Sequence, residues 1–585
     1  MPDQPQGVSN LLWAFALIDG LAGAGVTRAV ISPGSRSTPL VLACDAHPAI
    51  EISVQVDERC AAFLALGQAR ASGRPVILIA TSGSAPAHWY PAVIEASHSN
   101  IPLILLSADR PPELHGWGAN QTTDQQRLFG SHLRAFHDPG PAIADSAARK
   151  GMHRLGNSAA KQALQPHPGP LQINLPLREP LVPESRVDLP QPADASALPV
   201  SRPAPDPEQL NTTLTLISGQ PGIIVCGATD HGEPFAAAVT RLAQQLRCPI
   251  FTDPLSNLRF GAHDRQTVIC RYDAYLDAGS VELEPGWILR FGALPVSKPL
   301  LQFMDRTAAP VILCDPYRQW PVAPPNTAQT LAADPTLLCD AIHTRAPAPG
   351  PASWLERFQR LEQVSHRVMS PETLNDRPFE GCLIQDLLAT LPEGSLLFSG
   401  NSMPIRQLDS WSGSSAKRLR IHANRGVSGI DGNLSTFIGM SCGSYPAAVA
   451  LLGDLAFYHD MNGLLAAAGR DLVIVLLNNN GGGIFGYLPQ SALESYEPYW
   501  NTATNLDFQH SAALYGLGYQ RVTRQSGFRP ALEQALKVGG PQLIEVMIER
   551  AFSIQRHRHY RSAVAGALAG YPVPAGDAPH GTPSP

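Results

Sequence analysis

A chain of 585 residues, of which 44% are hydrophobic and 16% charged, has the composition of a globular protein with three or four domains. The formal net charge is −6 and no dense block of Lys and Arg is present, which argues against nucleic acid as a partner. No apolar run approaches the roughly 18 residues that would indicate a membrane span.

The nine cysteines are dispersed along the chain without a C-x-x-C pair, and several stand in apolar segments. An odd number of scattered, buried thiols favours a reducing compartment and argues against a structural zinc site. The first residues lack the basic region of a signal peptide. We therefore expect a cytoplasmic protein.

Two proline-rich stretches, at residues 180–207 and 345–351, divide the chain, because such sequences continue neither a helix nor a central strand. Between them, apolar strand patterns alternate with helical patterns. This alternation predicts three doubly wound, mainly parallel α/β domains. The expected domains cover residues 1–180, 208–345 and 370–560, and a Pro/Gly-rich tail at 570–585 is predicted to be disordered.

The strands are predicted from short apolar runs bounded by turn residues. The central domain has no G-x-G-x-x-G after its first strand, so its sequence indicates no dinucleotide site. The predicted strands lie near Arg28–Ile31, Glu51–Val56, Pro75–Ala80 and Pro102–Ser107 in the first domain, Gly222–Cys226, Trp287–Phe291 and Pro310–Cys314 in the central domain, and Ser395–Phe398, Ala447–Leu452 and Leu472–Leu477 in the third.

Two strand ends of the first domain carry candidate ligand-binding residues. Ser32–Ser37 is a Pro-Gly turn that leads into a helix near Thr38, and N–H groups at a helix start attract anions. Arg36 adds a planar guanidinium for a carboxylate, although an ordinary capping turn is the alternative. After the next strand, Asp57 is a candidate N-cap and Glu58 lies in the first helical turn, where a glutamate is often only a favourable partner of the helix dipole.

The third domain contains a β-α-β unit with oxygen donors at both strand ends. Asp454 ends one strand, Asn478 ends the next, and a helical segment over Met461–Arg470 joins them. A right-handed crossover makes the strands parallel, so Asp454 and Asn479 should meet at one edge of the sheet. Their side-chain oxygens and a free carbonyl in the Gly481 turn suit Mg²⁺ with phosphate oxygens, while a simple turn remains the alternative.

Together these blocks resemble the thiamine-diphosphate-dependent enzymes, in the order pyrimidine-binding, central and diphosphate-binding domain. Within that superfamily the chain is similar to the synthase family of menaquinone and phylloquinone biosynthesis, whose product is 2-succinyl-5-enolpyruvyl-6-hydroxy-3-cyclohexene-1-carboxylate. The resemblance runs from about Asn10 to Arg556. The blocks that carry it are Ser32–Leu40, Val56–Arg59, Ser107–Glu113, Gly118–Gln121 and Asn424–Gly432.

The resemblance implies a thiamine diphosphate site with Mg²⁺ or Mn²⁺. Glu58 matches the glutamate that hydrogen-bonds N1′ of the aminopyrimidine, and Ile430 matches the apolar prop beneath the bent cofactor. Asp454, Asn479 and the Gly481 carbonyl match the metal ligands. The residues matching the apolar wall beside the thiazolium ring are Ile484, Phe485 and Leu488.

The resemblance also implies a transferase that decarboxylates 2-oxoglutarate and adds the succinyl-semialdehyde carbanion equivalent to isochorismate. Both substrates are dicarboxylates, and a desolvated carboxylate requires paired charge, so several guanidinium groups are expected to converge. The residues at matching positions are Ser35, Arg36, Arg110, Asn120, Gln121, Lys298, Ser402, Arg406 and Arg425.

Two departures from the family pattern stand out. The Gly-Asp-Gly of the wider superfamily is Gly453-Asp454-Leu455 here. The Lys-Arg pair that the synthase family has in its central domain is Lys298-Pro299, so at this position Lys298 alone could meet a carboxylate of isochorismate.

The residues leave two alternatives to the synthase. A different thiamine-diphosphate lyase, such as an acetolactate synthase or a 2-oxoacid decarboxylase, would keep Glu58, Asp454 and Asn479, and a non-catalytic cofactor-binding protein is the third reading. The resemblance further implies a homodimer, or a dimer of dimers, with active sites shared between subunits. One subunit would supply the pyrimidine half and its partner the diphosphate half.

Overall fold

The computed structural model describes residues 5–143, 145–192, 201–229, 231–277, 283–320 and 326–569. The chain forms three six-stranded sheets, in which every strand pair is parallel. Each sheet is flanked by helices, as the alternating sequence pattern predicts. The tail that we expect to be disordered, residues 570–585, lies outside the described residues.

The first sheet has the strand order β2-β1-β3-β4-β6-β5. Its strands are β1 Arg28–Ile31, β2 Glu51–Val54, β3 Val76–Ala80, β4 Leu103–Asp109, β5 Ala135–His137 and β6 Pro170–Pro176. The helices of this part are α1 Gln6–Gly23, α2 Thr38–Asp45, α3 Glu58–Ser72, α4 Tyr90–His98 and α5 Ser146–Leu164.

The central sheet has the order β12-β11-β10-β7-β8-β9. Its strands are all parallel, and the order in which the chain adds them reverses between β7 and β10. Its strands are β7 Gly222–Cys226, β8 Ile250–Thr252, β9 Val268–Ile269, β10 Trp287–Phe291, β11 Val311–Cys314 and β12 Thr327–Leu331. The helices around and after it are α6 Pro207–Ile217, α7 Gly232–Leu246, α8 Tyr272–Asp277, α9 Lys298–Arg306, α10 Pro335–Arg345 and α11 Ala352–Val368.

The third sheet has the order β14-β13-β15-β16-β18-β17. Its strands are β13 Ser395–Ser399, β14 Leu419–His422, β15 Ala448–Gly453, β16 Leu472–Asn478, β17 Gly518–Val522 and β18 Pro541–Met547. The helices are α12 Glu380–Thr390, α13 Met403–Trp411, α14 Asn433–Met440, α15 Asp454–His459, α16 Gln509–Tyr515, α17 Gln525–Val538 and α18 Arg550–Ala569.

Short tight helices connect several of these elements. The segment expected to be helical, Met461–Arg470, forms a 3₁₀ helix over Met461–Ala467, and α15 precedes it. The 3₁₀ helices are Pro86–Trp89, Pro112–Leu114, Gly130–His132, Pro254–Ser256, Met461–Ala467, Gly483–Tyr487 and Pro489–Ala492, and Glu497–Asn501 is a π-helical turn.

All the strands predicted from apolar runs are present, with ends shifted by at most two residues. The strands that the sequence did not reveal are either short or polar. β6, for example, includes the buried Gln172 and Asn174. Both can be buried because they pair with Ser107: Gln172 Nε2 donates to the Ser107 hydroxyl, and that hydroxyl donates to Asn174 Oδ1. Polar side chains that pair only in three dimensions hide a buried strand from a hydrophobicity pattern. The other unpredicted strands are β5, β8, β9, β12, β14, β17 and β18.

The first and third sheets have the same strand order and share one apolar core, although their sequences show no repeat. Helices α3 and α14 pack across this core at two glycines. A Cβ on Gly67 would lie 2.0 Å from the Thr436 carbonyl oxygen, and one on Gly439 would lie 2.1 Å from that of Leu64. This backbone contact fixes α3, whose first residue is Glu58, against α14 of the third domain.

Candidate active site

The carboxyl ends of β15 and β16 bring Asp454 and the Asn479–Gly481 turn together. Asp454 is 2% exposed, and its Oδ2 accepts a hydrogen bond of 2.7 Å from the backbone N–H of Gly481. Gly481 has a φ of +133°, and a Cβ there would lie 2.1 Å from the Asn501 carbonyl oxygen. Only glycine fits this turn, which folds back onto the π-helical segment after the sheet edge.

The donor atoms at this edge fit a hard divalent cation. Asn479 Oδ1 is buried and has no hydrogen-bond partner, which is unusual for an amide oxygen and is what a metal ligand needs before its ion arrives. The Gly481 carbonyl accepts from the Gly483 N–H at 2.9 Å and retains a second lone pair. Among the described residues no group of three His, Cys, Asp or Glu side chains could hold a metal, so a cation here would rely on one carboxylate and neutral oxygens.

Burial sets the protonation of Asp454. It raises the pKa of this carboxyl to about 6, against the opposing effect of backbone hydrogen bonds from Gly481, Asp454 itself and Leu455. A cation beside Asp454 would favour the ionised form, so metal binding and proton release are coupled at this position.

Arg425 and Ile430 lie on the loop between β14 and α14, which is held from the first domain. Both oxygens of the buried Glu95 carboxylate accept backbone N–H groups of this loop, from Gly426 and Val427, each at 2.8 Å. Arg425 Nη1 donates to Asn401 Oδ1 at 3.1 Å. Ile430 is 40% exposed on the same loop, an apolar side chain open to a ligand or a second surface.

Lys298, Arg406, Ile484 and Leu488 line one cavity of about 490 Å³ between the central and third domains. Its lining is mixed: apolar side chains such as Ile484 stand beside aspartates such as Asp273, and two of its cations, Lys298 and Arg406, lie in the first turns of α9 and α13. The pKa of Arg406 is lowered mainly by partial burial and secondly by the positive charge of Arg425. These two guanidinium groups are therefore close enough to repel each other. Phe485 belongs to the same 3₁₀ helix as Ile484 and is half-buried.

Ser402, the residue before α13, has a strained backbone. Its φ of 71° and ψ of −122° lie in a region that non-glycine residues rarely adopt. Such a conformation costs on the order of 1–3 kcal/mol and tends to occur at binding sites. Here the Ser402 carbonyl accepts from Arg406 Nη1 at 2.6 Å, so the strained residue orients that guanidinium.

The first domain holds a second pair of arginines. Arg36 is 3% exposed and donates through Nη2 to Glu179 Oε1 at 2.7 Å and through Nη1 to the Leu177 carbonyl at 2.8 Å. Arg110 Nη1 lies 3.8 Å from the same Glu179 oxygen, and its buried Nε has no partner. One carboxylate therefore lies between two guanidinium groups.

The remaining first-domain candidates are Ser35, Asn120 and Gln121. Gln121 has a φ of 55°, and its Nε2 donates to the Ser82 carbonyl at 2.9 Å. Asn120 and Ser35 are exposed. These amides and hydroxyls are available to a ligand at the surface of the chain.

Glu58 begins α3, with Asp57 as its N-cap, as the sequence predicts. Asp57 Oδ1 accepts the backbone N–H groups of Arg59 and Cys60 at 3.0 and 3.2 Å. The half-buried Glu58 lines a cavity of about 510 Å³ together with His88 and Leu465. In the described part of the chain this cavity shares no lining residue with the one around Lys298.

Within one chain the candidate residues thus form two groups. The edge of the third sheet brings together Asp454, Asn479, Gly481, Ser402, Arg406 and Arg425, with Ile430, Ile484, Phe485, Leu488 and Lys298 nearby. The first domain holds Ser35, Arg36, Glu58, Arg110, Asn120 and Gln121. The four arginines expected to converge are two pairs in the single chain.

Several buried carboxylates that hold these loops were missed in the sequence. Glu95 and Glu545 each stand inside an apolar helix or strand, and Glu545 Oε1 accepts from Asn478 Nδ2 at 2.7 Å beside the Asn479 turn. Asp460 accepts from the Ser435 backbone N–H at 2.6 Å and anchors α14. A charged residue within an apolar run was the only available hint, because its partners are distant in sequence.

Comparisons with known proteins identify the two outer domains and the fold. Residues 13–128 match the N-terminal, and residues 411–546 the C-terminal, thiamine pyrophosphate-binding domain of the thiamine pyrophosphate enzymes. The chain is similar in structure to benzoylformate decarboxylase from Polynucleobacter necessarius, with a TM-score of 0.69 and 17% identity over 92% of this chain and 99% of that one. At this identity the likeness establishes the three-domain fold alone.

The sequence relatives are closer. The 2-succinyl-5-enolpyruvyl-6-hydroxy-3-cyclohexene-1-carboxylate synthase of Dechloromonas aromatica is 44% identical over 92% of this chain and 99% of its own length. Synthases of the same name from Bacillus velezensis and Natronomonas pharaonis are 39% and 40% identical, over 93% and 96% of this chain and 96% and 99% of their own lengths. This chain is thus a thiamine pyrophosphate enzyme and belongs to the 2-succinyl-5-enolpyruvyl-6-hydroxy-3-cyclohexene-1-carboxylate synthase family.

Proposed function

We propose that this protein decarboxylates 2-oxoglutarate and adds the resulting four-carbon unit to isochorismate, forming 2-succinyl-5-enolpyruvyl-6-hydroxy-3-cyclohexene-1-carboxylate for quinone biosynthesis. Two features at one sheet edge support the proposal. The unpaired Asn479 oxygen lies on the turn beside Asp454, and a cavity nearby is lined by Lys298 and Arg406. The first pair suits a metal-bound diphosphate and the second suits carboxylates.

The residues at the sheet edge would hold the cofactor. Asp454, Asn479 and the Gly481 carbonyl would ligate Mg²⁺ or Mn²⁺, and Ile430, Ile484, Phe485 and Leu488 would keep water from the reacting centre. Thiamine diphosphate, when bound, supplies the nucleophilic carbon and the electron sink for decarboxylation. Glu58 would exchange a proton with N1′ of the pyrimidine, and its place as the first residue of α3 holds its backbone in position.

The arginines would orient the two dicarboxylate substrates. Arg425 and Arg406 lie at the edge of the third sheet, and Arg36 and Arg110 in the first domain share Glu179. A substrate carboxylate can take the place of Glu179, whose side chain is 69% exposed, and so gain paired charge on leaving water. The polar partners in this proposal are Ser35, Asn120, Gln121, Ser402 and Lys298.

We further propose that the site is completed between two subunits of a homodimer or a dimer of dimers. Glu58 and the metal-binding edge open into separate cavities of one chain. Val54, Val56 and Leu465, near Glu58, are apolar and 50–64% exposed, as expected of a surface that a partner covers. A two-fold pairing would place the first domain of one subunit over the third domain of the other.

Two smaller proposals complete this assignment. We assign residues 1–180 to pyrimidine binding, 208–345 to the central domain and 370–560 to diphosphate binding. We also propose that the protein works in the cytoplasm, since all nine cysteines are free thiols. No described helix has both the length and the apolar character needed to cross a membrane.

Substrate consumption tests the reaction. Purified protein with thiamine diphosphate and Mg²⁺ should consume isochorismate only when 2-oxoglutarate is present, and mass spectrometry should detect the ring adduct. Glu58→Gln should remain folded and lose turnover. Consumption of pyruvate without a ring adduct would instead indicate an acetolactate synthase or a simple decarboxylase.

Subunit mixing tests the shared site. Glu58→Gln and Asp454→Ala proteins should each be inactive, and a mixed dimer should contain one site with both changes and one with neither. Activity should therefore return on mixing. If subunit exchange is demonstrated by mass spectrometry and activity stays absent, each chain builds its own site and the proposal of a shared one is wrong.

A further inference from the structure

The cavity lined by Lys298 and Arg406 has a third cation, which comes from the C-terminal helix. Arg561 of α18 lines this cavity, and its side chain is 47% exposed, so solvent and ligands can reach it. Pro299, which follows Lys298, also lines the cavity but has neither a charge nor a backbone N–H. The central domain therefore offers a single cationic side chain here, and α18 offers another.

The Arg561 guanidinium has donors to spare. Nη2 donates to Asp273 Oδ2 at 3.1 Å and Nη1 donates to Asp277 Oδ2 at 3.0 Å. A guanidinium carries five N–H groups, so these two bonds leave three for another acceptor. Asp277 is 42% exposed, and ion pairs between exposed groups contribute little, so a carboxylate ligand can share Arg561 or displace Asp277.

The two aspartates differ in what else they do. Asp273 is nearly buried and accepts the Ser297 hydroxyl at 2.6 Å, and Ser297 in turn caps α9 by accepting the Leu300 N–H at 3.2 Å. Asp273 thus supports the start of the helix that carries Lys298. The pairing of Arg561 with Asp277, by contrast, can be removed without disturbing this capping.

We propose that Arg561 binds a carboxylate of isochorismate at the mouth of this cavity. The inference rests on the function proposed above. 2-Oxoglutarate must lose CO₂ before its remaining carbons can attack, so isochorismate enters second and meets the outer part of the cavity. Arg561 is open to solvent, as are Lys298 and Arg406 at the helix starts, so an incoming carboxylate can reach it.

Steady-state kinetics of Arg561→Gln provide the test, with Arg558→Gln as the matched control. Arg558 is an exposed arginine on the same helix that does not line the cavity. Arg561→Gln should raise the KM for isochorismate about tenfold, because one charge-assisted contact is lost. The kcat and the KM for 2-oxoglutarate should change less than about twofold. Arg561→Lys should restore part of the affinity because it keeps the charge.

Asp277→Asn separates direct binding from a structural role. If Arg561 binds the substrate, Asp277→Asn should leave the KM for isochorismate unchanged or lower it, and the double variant should keep the high KM of Arg561→Gln. If Asp277→Asn itself raises this KM, the ion pair is structural and the proposal is overturned. An unchanged KM in Arg561→Gln, with the wild type fully active on both substrates, overturns it too, whereas an inactive wild type refutes the proposed function instead.

Discussion

Glu95 offers the sharpest test of how the first domain supports the catalytic edge of the third. Its carboxylate is 2% exposed and accepts the Gly426 and Val427 N–H groups, each at 2.8 Å. In Glu95→Gln one carboxylate oxygen becomes an NH₂ group that faces a backbone N–H, so one buried donor loses its acceptor. The loop that carries Arg425 should then loosen.

The magnitude follows from the lost bond. A buried hydrogen bond to a charged group contributes about 1.5–3 kcal/mol. A loss of about 2 kcal/mol corresponds to about thirtyfold in the equilibrium between the ordered and the displaced loop. If Arg425 binds a substrate carboxylate only from the ordered loop, the KM of that substrate should rise toward this factor, while the overall fold persists.

The assay compares the KM values of both substrates and the melting temperature in Glu95→Gln and in a control, Glu393→Gln. Glu393 Oε1 also accepts a hydrogen bond from an arginine, Arg418, at 2.7 Å, but both side chains are 57% exposed, so the control should leave the melting temperature close to that of the wild type. Equal KM values and melting temperatures in the two variants would show that Glu95 does not hold the loop.

Three further changes test the site and its supports. Burial raises the pKa of Asp460 from 3.8 to about 6, so its contribution to stability is present below pH 3.8 and lost as pH rises through 6. Asp460→Asn should remove this loss. Urea melts between pH 5 and 7.5 should therefore show the stability of the variant increasing relative to that of the wild type as pH rises. Gly481→Ala should abolish activity and weaken Mg²⁺-dependent thiamine diphosphate binding in a fluorescence titration, because the new Cβ would clash with the Asn501 carbonyl. The control Gly151→Ala, whose added Cβ has no atom within 4 Å, should bind the cofactor normally. Arg259→Met should cost about 3–5 kcal/mol because it leaves Asp409 buried without its cation, and Arg259→Met/Asp409→Leu should recover part of the melting temperature; equal stability of the single and double variants would contradict this.

The sequence determined the parts of this protein that depend on local pattern. Apolar runs ending in Gly-Asp or in an Asn-Gly turn located β15, β16 and the Asn479–Gly481 turn, and a polar cap before a helix located Glu58. A parallel crossover then required the two strand ends to meet at one edge. These inferences needed only the periodicity of side chains and the handedness of the chain.

Only the tertiary structure decided which residues hold these parts in place. Glu95 and Glu545 contact loops that are far away in sequence, and polar strands such as β6 are buried through side-chain pairs that no hydrophobic pattern reveals. The division of the four arginines into two pairs, and the entry of Arg561 into the Lys298 cavity, likewise follow from how the domains pack. A local pattern reports the environment that a residue prefers, whereas its partner is set by long-range contacts that the chain makes only on folding.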